Sequence, residues 1–178
     1  MSKTDNFVFI ALQVITWIIF VGLCIEAGGL ITNFAFSLFK PEVIQNLYQK
    51  LDLSEMYERS KSAYFIMYGF LLVIAILKAV LFYIVIILVH KIDLSKPFNS
   101  FVSRKITLIS YYTLSIGILI VIARQSAESL LQRGFETDKL DQFWGDGQAF
   151  ILMAAVIYVI AVIFKKGIDI QNENDLTI

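Results

Sequence analysis

Between Tyr64 and Val89 nearly every residue is apolar or aromatic, and one formal charge, Lys78, interrupts the run near its middle. At ~1.5 Å per residue a helix over this stretch spans about 39 Å, more than a bilayer core requires, so the chain is predicted to cross a membrane. A protonated amine in hydrocarbon costs about 2.5 kcal/mol or more unless it finds a partner, water or the interface. Neighbouring spans must therefore satisfy Lys78.

Three further apolar runs complete the pattern. The chain has 178 residues, 58% hydrophobic and 17% charged, with a mean hydropathy of +0.73. A soluble domain of that size cannot cover so much apolar surface. The expected fold is all-α: a polytopic membrane protein forming a four-transmembrane-helix bundle with short amphipathic helical extensions on the outer side. It is one domain over 1–178, with spans at about 7–27, 64–90, 106–124 and 149–165 and a tail over 166–178.

Composition also excludes several functions. With 15 basic and 15 acidic residues the net charge is zero, so there is no imbalance of the kind that direct nucleic-acid binding needs. Cys24 is alone and His90 is the one histidine, which leaves no disulfide within the chain and no His/Cys metal cluster. No serine, histidine and aspartate set, no H-E-x-x-H and no paired carboxylates within a span are present, and Gly145-Asp146-Gly147 is a loop without a preceding strand. The expectation is a non-enzymatic protein without cofactor. Lys3 precedes an apolar run from Phe7 that continues to Ile25, longer than a signal segment, so it is read as a retained span.

The first apolar run extends through Gly28 and Gly29 to Phe39, ~50 Å of helix, so it projects, tilts or breaks near the glycine pair. Gly22, Glu26, Gly29 and Asn33 share one face, suited to packing against a neighbour. After Pro41, the residues Val43, Ile44, Leu47, Tyr48 and Leu51 form the apolar stripe of an amphipathic helix lying on the bundle end or in the interface. In span three, Ser103, Thr107, Ser110, Leu114, Gly117, Val121, Arg124 and Glu128 form one stripe, read as the inward face. Gly134 is the expected C-cap, Trp144 suits an interfacial belt, and Ala154, Tyr158 and Ala161 give span four a small-residue face.

Four spans put both termini on one side. That side holds Lys3, Lys91, Lys96, Arg104, Lys105, Lys165 and Lys166; the other holds as many basic residues, but Arg104-Lys105 and Lys165-Lys166 are pairs abutting spans, which favours cytoplasmic termini. Glu26 and Arg124 then lie ~27 to 29 Å from the cytoplasmic edge and Lys78 roughly 18 Å from it, within snorkelling reach of the same level. Glu26 is the natural partner of Lys78 or Arg124, with Glu128 one turn above Arg124. This cluster has three readings: a structural one that fixes helix register, a polar pocket open to the outside that binds a ligand, or an ion path.

The tail from Ile163 to Ile178, most specifically Glu173-Asn-Asp-Leu-Thr-Ile178, together with Lys96-Pro97-Phe98 opening span three, resembles the bacterial four-helix membrane proteins of domain-of-unknown-function family 2975. Val102 departs from the family pattern, in which a polar residue is expected. The family has no established activity. Its members are frequently encoded beside a small helix-turn-helix regulator, so the resemblance implies an inner-membrane protein that holds or modulates a cytoplasmic transcription factor. Glu173, Asp175, Leu176 and Thr177 are then the expected partner-binding residues. Alternatives are a small transporter or channel component using Glu26, Lys78 and Arg124, or a structural, lipid-associated protein; either is compatible with a homo-oligomer.

Overall fold

The structure, a computed structural model, describes the backbone of residues 3–92 and 98–175, and side chains over 7–92 and 98–173. Its frame is four long helices: α1 (Lys3–Phe39), α3 (Lys61–Lys91), α4 (Ser100–Gln132) and α5 (Gly147–Asp175), with the short α2 (Ser54–Arg59) between the first two. Each long helix contains a segment apolar and long enough to cross a membrane. The helices outrun the sequence estimates because propensity carries them past the hydrocarbon; the 37 residues of α1 extend about 55 Å. α1 does not break at Gly28–Gly29. A break within lipid would leave backbone N–H and C=O groups without partners, so continuous helix is the stable outcome there.

Packing follows chain order. α1 packs on α3, α3 on α4 and α4 on α5, while α1 meets neither α4 nor α5 among the described residues. The four helices thus form an open row with α1 and α5 at its edges. α1 faces α3 through Thr16, Ala27, Leu30 and Ser37. Tyr68 on α3 donates to the Leu30 carbonyl at 3.0 Å and stacks on Phe34 at 5.4 Å between centroids. α4 and α5 approach most closely where Gly117 meets Gly147: a Cβ on Gly117 would lie 3.0 Å from the Gly147 carbonyl oxygen. Ser110 reinforces the pair by donating to the Ala154 carbonyl at 3.0 Å.

The Lys3 end of α1 and the Asp175 end of α5 lie on one side, the terminus side, and the connections after α1 and α4 lie on the far side. Of the two placements open to the stripe after Pro41, the structure takes the bundle end. It does so as two 3-10 turns, Pro41–Asn46 and Tyr48–Lys50, separated by extended Leu47, with Gln49 and Lys50 at positive φ. Ile44, Leu47, Leu51, Leu53 and Met56 are buried, and extended Leu47 with the positive φ of Gln49 and Lys50 interrupts what the stripe predicted as one amphipathic helix. The Gly22–Glu26–Gly29–Asn33 face of α1 is not covered by a neighbouring helix. Gly22 has nothing near it, and Gly29 receives the Tyr48 ring so closely that a Cβ would lie 2.5 Å from it.

The second far-side connection also folds inward. α4 ends as expected at Gly134, φ +81°: the Gly134 N–H bonds the Leu131 carbonyl and the Phe135 N–H bonds the Leu130 carbonyl, the paired pattern of a Schellman cap. Leu140, Phe143 and Trp144 then enter the core. Trp144 is 5% exposed, so it is not the interfacial belt residue its position implied; the turn at Asp138–Leu140 carries it back over the row. Burial on α4 follows Ser110, Thr113, Ile116, Gly117, Ile120, Ala123 and Ala127, while Leu114, Val121, Arg124 and Glu128 are exposed. The expected inward stripe is therefore right at Ser110 and Gly117, half-buried at Ser103 and Thr107, and wrong at Leu114, Val121, Arg124 and Glu128. A helix in the middle of a row has two buried sides, and the stripe tracked only one.

Candidate functional site

Lys78 sits half-buried near the centre of α3, and its Nζ donates to the Phe143 carbonyl oxygen at 3.3 Å. The partner is thus a backbone acceptor delivered by the inward-folded far-side segment, reached by the lysine stem bending toward the far side. Glu26 is half-buried on α1 and pairs with neither base: among the described residues the one ion pair is Arg59 with Glu55, at 3.2 Å. The reason is azimuth. Ala27 faces α3, so Glu26, one residue earlier, is turned ~100° away from Lys78. Arg124 lies on α4, which α1 does not touch. The three charges therefore do not meet as one cluster.

Arg124 and Glu128 do come together. They are exposed one turn apart on the far-side third of α4 and line two open cavities between them, one of about 500 Å³ with Asp146 and Gln148, one of about 200 Å³ with Asp138 and Asp141. Asp146 Oδ1 accepts from the backbone N–H groups of Gln148 at 3.0 Å and Ala149 at 3.1 Å, capping α5. The resulting cleft is polar and of mixed charge. Among the described residues no three His, Cys, Asp or Glu side chains are grouped to hold a metal ion.

Sequence reasoning missed Arg59. Its guanidinium donates to the carbonyl oxygens of Gly134 and, at 3.2 Å, Arg133, pairs with Glu55, and lies 4.2 Å from the Phe135 ring centroid. It therefore takes up backbone acceptors left at the end of α4 and ties the first far-side connection to the second. Only the Glu55–Arg59 spacing of four was visible in advance, and that signal is common on any helix. Nearby, the Asp52 carboxyl accepts from the Ser54 backbone N–H at 3.0 Å and the Ser54 hydroxyl at 2.7 Å. These bonds, aided by the positive charge of Lys139, hold its pKa below the usual aspartate range.

On the terminus side, α5 continues as helix beyond Lys165 and Lys166 to Asp175. Asp169, Gln171, Asn172 and Glu173 are exposed along this extension, which is about 14 Å long. Of the expected partner-binding residues, Glu173 and Asp175 lie on the extension, while Leu176 and Thr177 fall outside the described residues, as do Lys96 and Pro97. Phe98 packs on Phe164 at 5.2 Å between centroids and against Gly167, where a Cβ would lie 2.6 Å from its ring. Val102, where the resemblance led to the expectation of a polar residue, is fully buried.

Four apolar helices, the hydrogen-bonded lysine inside them and the polar clefts and extension outside define a multi-pass helical membrane protein. The chain belongs to the family described as protein of unknown function (DUF2975), whose model matches residues 48–178, from the second far-side turn through α5. No curated protein and no solved structure matches it.

Proposed function

We propose that this protein is a non-enzymatic regulatory component of the bacterial cytoplasmic membrane that holds a cytoplasmic helix-turn-helix type regulator through its tail and its terminus-side loop. In this reading both termini are cytoplasmic and the Arg124–Glu128 cleft faces outward, toward solutes and lipid headgroups. The observation that carries the reading is the continuation of α5 well past the last basic pair, polar and exposed, where spanning no longer requires helix. A preformed helical extension loses little entropy on docking, which suits a recognition element. Lys78 supports a structural place for the intramembrane charge, since its ammonium is held by the Phe143 backbone carbonyl.

The test is copurification with a helix-turn-helix regulator encoded beside this protein's gene. Deleting Asn172 to Ile178 is expected to abolish capture of the regulator while leaving insertion and thermal stability nearly unchanged. Undiminished capture would rule the tail out as the contact, and a large loss of thermal stability would instead assign it to folding.

A further inference from the structure

Two hydrogen bonds join α1 to the rest of the row among the described residues, and they sit at opposite ends of its contact with α3. Toward the far side Tyr68 donates to the Leu30 carbonyl; toward the terminus side the Trp17 indole N–H donates to His90 Nε2 at 3.5 Å. The other ring nitrogen of His90, Nδ1, is 3.1 Å from the Ile86 carbonyl oxygen. A carbonyl only accepts and an indole N–H only donates, so the partners dictate the tautomer: Nδ1 carries the proton and Nε2 offers its lone pair. Both nitrogens are used, and they are used by a neutral imidazole.

We infer that the Trp17–His90 contact is a proton-sensitive latch, in which a proton on His90 Nε2 releases the terminus-side half of α1 from α3. Protonation removes the lone pair that accepts the indole N–H and puts a second N–H in its place, aimed at the first. The ring planes stand 87° apart with centroids at 6.2 Å, and the indole N–H is the group directed at Nε2. His90 is exposed in the last turn of α3, open to protons from the terminus side. Next to it on α3 is Lys91, with Tyr83 two turns earlier; between Phe7 and Glu26, α1 offers only Cys24 as a titratable group; α4 brings Arg104 and Lys105 in its first turns, the latter over the Phe101 ring. Asp93 and Lys96 lie outside the described residues. None of the described groups is ion-paired with His90.

Little else resists the release. Phe20 against Tyr83, 5.9 Å between centroids, is the adjacent ring contact, and α1 has no second helix to lean on. The far-side half stays anchored by Leu30 and by Tyr48 on Gly29, so the motion is a pivot that carries the first turns of α1 away from α3 on the side where the tail of α5 also emerges.

The test uses the full chain in lipid nanodiscs, with Cys24→Ser removing the native thiol and nitroxide labels at Val14→Cys and Ile92→Cys. Pulsed electron-spin distances are recorded between about pH 5 and 8, the interval in which imidazoles titrate. A narrow distribution at the alkaline end that lengthens and broadens on acidification is expected, with the pH dependence lost in both His90→Gln and Trp17→Phe. An unchanged distribution across the interval, or a shift of the same size in His90→Gln, overturns the latch.

Discussion

Lys78 is placed where an ammonium is costly, about 2.5 to 3.5 kcal/mol at a helix centre, and a hydrogen bond from a charged donor returns about 1.5 to 3 kcal/mol. The Phe143 carbonyl is thus enough to hold the lysine without a carboxylate. It follows that Glu26→Gln and Lys78→Met should have additive effects on stability, within about 0.5 kcal/mol, in a double-mutant cycle, and that Lys78→Met should speed amide exchange near Phe143. A coupling of several kcal/mol would restore the Glu26–Lys78 pair. The position of each charge along its helix was legible in the sequence because rise per residue is fixed. The direction of Glu26 was not, because azimuth depends on which residues of α1 face α3, and the glycine and glutamate stripe pointed elsewhere. Asp52 carries the second residue-scale prediction. Its folded pKa is lowered by the Ser54 bonds, so its stabilisation is complete above the unfolded value and is lost as pH falls through the folded one. Asp52→Asn should lower the melting temperature modestly at neutral pH, and the gap to wild type should close below pH about 4. A gap that persists unchanged into acid would mean the carboxylate charge is not what Ser54 reads.

Among the elements, α4 and α5 are joined by a close approach and α1 is not, and glycines separate the two cases. A Cβ on Gly117 would meet Ile151 Cγ1 at 2.8 Å and backbone atoms at 3.0 Å, whereas at Gly22 it meets open space. Gly117→Ala should therefore destabilise by about 1 to 3 kcal/mol through overpacking. Gly22→Ala should be neutral or stabilising by up to about 1 kcal/mol through helix propensity. Detergent-resistant unfolding measured for the two variants side by side checks this, and equal losses would show that Gly22 is also packed. Small-residue stripes told correctly that part of α4 avoids lipid, but the same signal on α1 marked a face whose Gly29 meets Tyr48 rather than a helix. A stripe reports close approach without naming the neighbour, and a non-helical turn serves as well as a helix. Trp144 failed for a related reason: position near a span boundary fixes height only if the segment does not fold back.

At the scale of the whole molecule, four spans were legible from hydropathy because nothing else accommodates four such apolar runs. Their arrangement as an open row was not, since each helix has enough apolar surface to face either lipid or a neighbour. The far side is closed by two inward-folded connections that Arg59 ties together, and the terminus side gathers the basic pairs and the extension of α5. The proposed function depends on that polarity: the extension must share a compartment with its regulator. Cysteines introduced one at a time on a Cys24→Ser background, at Gln45→Cys, Asp138→Cys and Gln171→Cys, measure it directly with an impermeant thiol reagent on intact cells. Labelling at 45 and 138, with position 171 reacting only after the membrane is opened, is the predicted result. Labelling at 171 in intact cells, with 45 and 138 protected, would contradict it.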